Sequence, residues 1–334
     1  MRILIIKLGA IGDVIRTTSM LPALKEKYNG CKIDWAAKKV SFDILKNNAF
    51  INKIFLIEDA KEINEFYDMV ISLDDEYDAC LLASKINTKK IVGACLKDGK
   101  RAYTEDASLW FDMGIISRFG KEKADKLKAE NKKTYQEIMH SMLNLEYKKQ
   151  EPILVLSRNE LEFSKKFAKE NNIKKNETII GINTGAGGRW QDKKLSINET
   201  AELIDKLNKN IVDAKLLLFG GPEEKERNEK IKQLIKTGII DAGTDNSLME
   251  FVSLVNLCDI LITSDSLALH IGTALKKKIV AFFAPTSPSE IELYGRGIKI
   301  LPKKGCVCCY KSKCDIPPEW DIDEMVNAAK KVLK

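Results

Sequence analysis

The sequence predicts an α/β protein with two doubly wound halves, each built from strand–helix units around a parallel sheet. Apolar runs of strand length lack strict polar alternation, which is typical of strands buried on both faces. These runs alternate with helical patterns, as crossover helices require. The alternation stops once, at a long polar segment, and then resumes. The length of 334 residues also fits two domains of roughly 100–200 residues each.

The first half contains five strand candidates and one clear helix, which follows the first strand from about Gly12 to Lys27. A polar, lysine-rich segment of helical pattern comes next and breaks at Pro152. We therefore expect a boundary near residues 150–156, with domains at 1–154 and 155–320. The strand candidates are, in order, "RILIIKL", "KIDWAA", "KIFLI", "YDMVISL" and "KKIVGA".

The second half restarts the alternation with the strand candidates "TIIGINT", "KLLLF", "DILITS" and "KIVAFFA". Ligands of such sheets bind beyond the carboxyl ends of the strands, so every loop of interest should follow a strand. Two such halves facing each other would form a cleft. The last helix, at 321–334, is a candidate to pack back on the first half.

Composition indicates a globular protein with full-sized cores, since 44% of the residues are hydrophobic and 31% charged. No apolar run approaches the ~20 residues of a membrane span, and the first run is too short for a signal peptide. We expect a cytoplasmic protein. The net charge of +7 fits either solubility or an anionic partner such as a nucleotide, an acidic glycan or a membrane face. Nucleic acid is disfavoured because no binding motif is present.

The loop "LGAIGD" follows the first strand. Gly9 and Gly12 would let the backbone pass close to a ligand. Asp13 is either a first-turn acid favoured by the helix dipole or a carboxylate that acts as a general base. The loop is not the Gly-x-Gly-x-x-Gly of dinucleotide binding, which argues against an NAD(P)-dependent oxidoreductase.

Two loops of the second half could bind a nucleotide. "NTGAGGRWQDKK" offers backbone N–H groups at Gly185, Ala186, Gly187 and Gly188, followed by the cations Arg189, Lys193 and Lys194. This combination can hold a diphosphate without a metal; the alternative is a flexible basic loop. "FGGPEEKER" places Glu223 either as a first-turn acid or as an acceptor for ribose hydroxyls.

A third loop, "LITSDSLALH", also follows a strand. Asp265 or Ser264 could cap the next helix, and the helix start at Ser266 would present N–H groups to a phosphate. His270 is either a core residue of an apolar helix or part of this site.

Two clusters raise the question of a metal. Asp74, Asp75 and Asp78 could hold a divalent ion, but helix capping explains them more simply. The spacing of Cys306, Cys308, Cys309 and Cys314 is Cys-x-Cys-Cys-x4-Cys, which one tetrahedral ion could hardly satisfy with all four. We predict a thiol-rich loop there, and no metal or cofactor for the protein.

Together these segments resemble the ADP-heptose:lipopolysaccharide heptosyltransferases, glycosyltransferase family 9. The resemblance covers nearly the whole chain, through "MRILIIKLGAIGDVIRTTSMLPAL", "NTGAGGRWQDKK", "LLLFGGPEE" and "DILITSDSLALHIGTAL…VAFFAPTSP". It implies a GT-B fold of two Rossmann-like domains, the C-terminal one binding the donor. It also implies inverting, metal-independent transfer of heptose from ADP-heptose to an inner-core lipopolysaccharide acceptor, with transient contact at the inner membrane face.

The resemblance also assigns roles to residues. Asp13 is the implied base on the acceptor hydroxyl, in an acceptor-side loop with Gly9, Gly12 and Arg16. Lys193 is the implied phosphate-binding lysine and Glu223 the ribose-binding acid. The remaining donor-side residues are Thr184, Gly185, Ala186, Arg189, Asp265, Ser266 and His270.

The chain departs from the family pattern in three places. Leu267 stands where the family usually has glycine, which would shift the helix start relative to the diphosphate. The family's Lys-x-Trp-Pro becomes Lys193-Lys194-Leu195-Ser196. A cysteine common in the family's tail falls near Trp320. The alternatives are another nucleotide-sugar transferase, a sugar-nucleotide epimerase or a non-catalytic glycan-binding protein.

Overall fold

The computed structural model describes residues 1–188 and 190–334, without the side chains of Lys61 and Glu62. The chain folds into two compact units. The first consists of Met1–Val155 with Ser289–Glu292, and the second of Leu156–Pro288 with Leu293–Lys334.

The first unit is built on a six-stranded sheet in the order β3-β2-β1-β4-β5-β6, in which only β6 runs antiparallel. Its strands are β1 (Arg2–Ile6), β2 (Lys32–Ala37), β3 (Lys53–Leu56), β4 (Met69–Ser72), β5 (Ile91–Lys97) and β6 (Lys100–Tyr103). Its helices are α1 (Ile11–Thr17), α2 (Met20–Lys27), α3 (Lys39–Leu45), α4 (Tyr77–Lys85), α5 (Ser108–Phe111), α6 (Lys121–Glu130) and α7 (Tyr135–Met142).

Strand β1 shows why its sequence is almost entirely apolar. Ile3 and Ile5 belong to the core on one face of the sheet, and Leu4 and Ile6 belong to the core on the other. Neighbouring side chains of a strand point to opposite faces, so a strand covered on both sides needs apolar residues at every position. This arrangement places the segment after β1 at the carboxyl edge of the sheet.

The helix expected from Gly12 to Lys27 is divided into α1 and α2, so this prediction was wrong. The hydroxyls of Thr17, Thr18 and Ser19 donate to the carbonyls of Asp13, Ile15 and Arg16, three or four residues back. Such bonds compete with the helical ladder. Pro22 then lacks the N–H that a continuous helix would use. The break ends α1 after two turns, one turn beyond Asp13.

The second unit contains an all-parallel six-stranded sheet in the order β12-β11-β10-β7-β8-β9. Its strands are β7 (Thr178–Asn183), β8 (Ala214–Phe219), β9 (Ile240–Asp241), β10 (Ile260–Ser264), β11 (Lys278–Phe282) and β12 (Gly297–Ile300). Its helices are α8 (Arg158–Glu170), α9 (Ile197–Asn210), α10 (Lys225–Leu234), α11 (Leu248–Leu257), α12 (Leu267–Ala274) and α13 (Ile322–Leu333).

The last helix was a candidate to pack on the first unit, but its apolar face lies in the core of the second. Met325, Val326 and Ala329 are buried there, and α13 contacts α9 and strands β10 to β12. The helical spacing of its apolar residues predicts an amphipathic helix, but it does not indicate which unit the apolar face packs against. The short strands β6, β9 and β12 were also missed, because each is only partly buried and lacks a long apolar run.

Among the described residues, no helix combines the length and the apolar character that crossing a bilayer requires.

Candidate active site

Asp13 lies in the first turn of α1, just beyond the carboxyl end of β1. Its carboxylate contacts Arg16, with Oδ1 2.9 Å from a guanidinium nitrogen. Its other oxygen lies 3.8 Å from the ammonium of Lys7. The Asp13 side chain is 31% exposed, whereas both cations are almost fully buried. The carboxylate is therefore paired with two buried cations and remains partly exposed to solvent.

Lys7 is the residue that links this carboxylate to the body of the sheet. Its ammonium lies 2.5 Å from Oδ1 of Asp74, at the end of β4. Burial disfavours the charged ammonium, but the carboxylates of Asp74 and Asp13 outweigh this effect and raise the pKa of Lys7. The lysine is thus a permanent cation beneath Asp13.

Asp74 does not cap a helix, and the cysteine cluster found among the described residues does not include it. It accepts hydrogen bonds from the backbone N–H groups of Leu8 and Gly9, the latter at 2.8 Å, in addition to the ion pair with Lys7. Helix α4 begins three residues later, with no side-chain cap. The capping expectation was therefore wrong for Asp74. The metal alternative is disfavoured too, since the carboxylate is already occupied by one ammonium and two N–H groups.

The same carboxylate explains Gly9. A Cβ at this position would come within 2.7 Å of Asp74 Oδ1, so only glycine lets the loop close over the aspartate. The sequence analysis predicted instead that Gly9 makes room for a ligand. Gly12 is buried inside α1.

Arg16 is fixed on the other side of Asp13. Its guanidinium lies 3.8 Å from the ring centroid of Tyr135 and 5.7 Å from that of Trp110. Glu290 adds a carboxylate 3.9 Å away, and the Tyr135 hydroxyl bonds Thr17 at 2.6 Å. Aromatic faces attract a guanidinium, so the arginine has little freedom to leave Asp13.

The second unit carries a separate pocket at the carboxyl edge of its sheet, with a volume of about 390 Å³. Glycine-rich segments form much of its wall. The lining residues include Gly185, Ala186 and Gly187 after β7, Gly220, Gly221 and Glu224 after β8, and Ser266, Leu267 and Ala268 at the start of α12. Exposed backbone and a helix N-terminus suit an anionic ligand. Arg189, predicted to join this site, lies outside the described residues.

Lys193 and Asp265 form a buried ion pair beside this pocket. The ammonium lies 2.9 Å from Asp265 Oδ2 and 2.9 Å from its backbone oxygen. The Thr286 hydroxyl donates to the same carboxylate at 2.7 Å. The structure therefore brings together two residues that the sequence placed in different loops.

Burial alone would raise the pKa of Asp265, but Lys193, His270 and the Thr286 hydroxyl lower it. A carboxyl whose pKa falls on folding stabilises the fold above its unfolded pKa of about 3.9. That contribution is lost as the pH falls through the lower, folded value. The pair is consequently intact at neutral pH.

His270 and Ser266 lie on the same end of α12. His270 Nε2 is 4.0 Å from Asp265 Oδ1, and the ring is 14% exposed. Asn183 joins the loops, because its amide nitrogen lies 2.7 Å from the Gly185 carbonyl and 3.3 Å from the Ser266 hydroxyl. Ser266 thus lines the pocket, and His270 is partly exposed beside Asp265.

The two neighbouring glutamates differ in environment. Glu223 is exposed and is not among the described residues that line the pocket, whereas Glu224 is buried and does line it. Glu224 lies 2.6 Å from the Lys194 ammonium and accepts a hydrogen bond from Gly221 N–H at 3.1 Å. Thr184, also predicted at the site, has its hydroxyl 2.9 Å from the Phe219 carbonyl and 2.7 Å from Asn228, within the protein.

Comparison with known proteins identifies the family. The model of glycosyltransferase family 9 (heptosyltransferase) matches residues 59–318. This chain belongs to that family. The glycosyltransferase is also similar to lipooligosaccharide heptosyltransferase 2 of Haemophilus influenzae, with 25% identity over 311 residues, covering 86% of this chain and 84% of that protein.

Solved structures establish the fold of the glycosyltransferase. A family 9 glycosyl transferase from Veillonella parvula superposes with a TM-score of 0.76 at 19% identity, covering 99% of this chain and 97% of that one. The ADP-heptose LPS heptosyltransferase II of E. coli superposes with a TM-score of 0.68 at 18% identity, covering 100% of this chain and 98% of that one. The expected GT-B class, with two doubly wound α/β domains, is confirmed.

Sequence reasoning missed four residues at these sites of the glycosyltransferase: Lys7, Asn183, Glu224 and Thr286. Lys7 interrupts the apolar run "RILIIKL" at its edge, and a charge in that position is a signal that could have been used. Glu224 adjoins the acid that was chosen, and only its burial separates the two. Asn183 is the last residue of β7 and Thr286 lies in the loop after β11. Both are ordinary polar residues, and only their contacts reveal them.

Proposed function

We propose that this family 9 enzyme moves heptose from ADP-heptose to an inner-core lipopolysaccharide acceptor, with inversion and without a metal in the chemical step. The observation that carries the proposal is the setting of Asp13, an accessible carboxylate fixed by two buried cations at a strand end. The names of its relatives, a lipooligosaccharide heptosyltransferase and an ADP-heptose LPS heptosyltransferase, support the donor and the acceptor class.

The donor would occupy the pocket of the second unit. Backbone N–H groups of the Gly185–Gly187 segment and the start of α12 would hold the diphosphate, with Lys193 as the nearby cation. Asp265 also pairs with that lysine. A bound diphosphate would share the lysine with Asp265.

Asp13 would act as the general base on the acceptor. The acceptor oxygen forms a bond to the anomeric carbon as the bond from that carbon to the diphosphate oxygen breaks. The hydroxyl proton passes to Asp13, and the electron pair of the broken bond leaves with ADP. A single displacement inverts the anomeric carbon, because the incoming oxygen attacks opposite the leaving group. Lys7 and Arg16 favour the ionised carboxylate by Coulomb attraction, and an ionised carboxylate is the form that accepts a proton.

The leaving diphosphate gains negative charge in the transition state. The cation at Lys193 and the N–H groups of the pocket would stabilise it electrostatically, since they are already in place before reaction. These groups perform the task that a divalent ion performs in metal-dependent sugar transferases. This is why we propose a metal-independent chemical step.

The function is tested with a panel of nucleotide sugars, measuring release of nucleoside diphosphate with and without a lipopolysaccharide core oligosaccharide. We expect ADP release that requires both ADP-heptose and the acceptor, a product of inverted anomeric configuration by NMR, and no stimulation by Mg²⁺ or Mn²⁺ after brief EDTA treatment. Release of another nucleotide would contradict the donor assignment. Conversion of the sugar nucleotide without an acceptor would favour an epimerase. Binding of the sugar nucleotide or the glycan without turnover would favour a glycan-binding protein.

Lys193→Ala is expected to weaken donor binding at least tenfold, because a charge-assisted contact to the diphosphate contributes about 1.5–3 kcal/mol. Isothermal titration with ADP measures it directly. Lys209→Ala, which removes an exposed lysine of α9, is the matched control and should bind ADP normally. Unchanged affinity in the Lys193 variant would remove this lysine from the phosphate site.

The two glutamates give a paired test of ribose recognition. Because Glu224 lines the pocket and Glu223 is exposed, we expect Glu224→Gln to raise the Kd for ADP by about tenfold, the loss of one charged hydrogen bond. Glu223→Gln should leave the Kd within twofold. The opposite ranking would restore Glu223, the residue that the family resemblance implies.

Contact with the membrane is a further prediction. A lipid-linked acceptor would bring the enzyme to the inner face of the cytoplasmic membrane, and the net charge of +7 favours contact with anionic lipid. Cosedimentation with anionic vesicles, compared with neutral ones, measures this contact.

A further inference from the structure

The segment between β12 and α13 is a long loop with almost no core of its own. Residues 301–319 form no helix or strand, apart from one bridge between Lys304 and Glu319. Cys314 is its only buried residue. Loops of this length without secondary structure are uncommon in compact domains, and such a loop needs something other than apolar packing to fix its course.

Three sulfur atoms meet inside this loop. The Sγ atoms of Cys306, Cys309 and Cys314 all lie within 4.8 Å of one another, and those of Cys309 and Cys314 are 3.6 Å apart. A tetrahedral ion with Zn–S bonds of about 2.3 Å needs sulfurs about 3.8 Å apart. Small movements of the side chains would therefore complete three corners of a tetrahedron.

The backbone on both sides of Cys309 adopts an unusual conformation. Cys308 and Tyr310, on either side of Cys309, both have a positive φ, of 59° and 49°. Non-glycine residues adopt this conformation at a cost and persist only where the surroundings impose it. The turn aims Cys309 at the other two sulfurs.

We propose that Cys306, Cys309 and Cys314 bind a thiophilic divalent cation such as Zn²⁺ through their three thiolates. Cys308 is not part of the set. The cysteine spacing disfavours one ion bound by all four cysteines, but the fold brings the sulfurs of Cys306, Cys309 and Cys314 together. Soft thiolate ligands select zinc or ferrous iron over Mg²⁺ or Ca²⁺, and the fourth corner is left to water or an added ligand.

The cation would be structural, and its loop supports the proposed donor site. The N–H of Cys314 donates to Asp192 at 2.5 Å, and Gln191 N–H donates to the Ser312 carbonyl at 3.3 Å. Both partners belong to the short turn that carries Lys193. The hydroxyl of Tyr310 accepts from Ser287 N–H at 3.1 Å, next to Thr286. This connection to the donor rests on the proposed function, while the cation site itself does not.

The cation site is tested on protein purified anaerobically with reductant, by native mass spectrometry and elemental analysis. We expect one zinc or iron per chain, and sulfur-to-cobalt charge-transfer absorption after replacement by Co²⁺. The variants C306S, C309S and C314S should each lose most of the metal and the cobalt absorption. C308S and C95S are the matched controls and should keep both.

Three results would overturn the site: no metal in the purified protein together with no cobalt absorption on titration, full metal content in the triad variants, or a Cys309–Cys314 disulfide in peptide maps of freshly alkylated protein. In the triad variants we also expect a Kd for ADP raised severalfold. Normal ADP binding in metal-free protein would leave the cation site supported and disprove its connection to the donor. Metal binding in a protein without transferase activity would contradict the proposed function and leave the cation site standing.

Discussion

Replacement of Asp13 by asparagine is expected to lower kcat by about 10²- to 10⁴-fold, the usual contribution of a general base. Asparagine has nearly the same shape as aspartate, but it cannot act as a base for the proton of the acceptor hydroxyl. Because Asp13 lies in the first unit and the proposed donor pocket lies in the second, affinity for the ADP-sugar should not change. Initial rates of ADP release and calorimetric titration separate the two effects.

A matched control is Glu76→Gln, which removes an exposed carboxylate paired with Lys38 at 2.7 Å. Its kcat should equal that of the unmodified enzyme. Near-normal turnover in the Asp13→Asn variant would show that another group takes the proton, or that the acceptor oxygen loses it only after attack. A loss of donor affinity in the same variant would instead mean that the substitution disturbs more than proton transfer.

Replacement of Asp74 by alanine is expected to have the largest effect on stability. It would leave the Lys7 ammonium buried without its closest carboxylate and remove the acceptor of Leu8 N–H and Gly9 N–H. Breaking a buried ion pair by removing one partner costs about 3–5 kcal/mol. We therefore expect the free energy of unfolding, measured by urea denaturation, to fall by about this amount.

The control for Asp74 is Asp78→Asn, an exposed acid in the first turn of α4. Its effect on the free energy of unfolding should lie within about 0.5 kcal/mol, as for most surface substitutions. A loss smaller than about 1 kcal/mol in Asp74→Ala would mean that water replaces the lost carboxylate and that the loop does not depend on it. The milder variant Asp74→Asn keeps one acceptor oxygen. Its loss in free energy of unfolding should lie between those of Asp78→Asn and Asp74→Ala.

Much of the fold was predictable because buried parallel strands need apolar residues at every position. The runs that became β1, β2, β7 and β10 are all of this kind. Strands β6 and β9 escaped prediction because edge strands bury little surface and need no such run. The helix break at 17–19 could have been read from two threonines, a serine and a following proline.

The candidate site was predictable only in part. Asp13, Lys193 and Asp265 were found because each follows a strand in a loop whose residue types suit a carbohydrate or a phosphate. Lys7 and Thr286 were not found and the role of Asp74 was assigned wrongly, because the pairs Lys7–Asp74 and Thr286–Asp265 join separate segments of the chain. Periodicity and local motifs carry no information about such contacts.

The sequence by itself determined the class of protein: two doubly wound α/β units, the loops that follow their strands, and the glycosyltransferase family. These depend on local patterns of apolar and small residues, which a chain displays without folding. Only the tertiary structure decided that Asp13 lies between two buried cations, that Glu224 rather than Glu223 faces the pocket, and that three of the four clustered cysteines converge. The physical reason is that burial, pairing and ligand geometry depend on distances between side chains, and those distances exist only after the chain has packed.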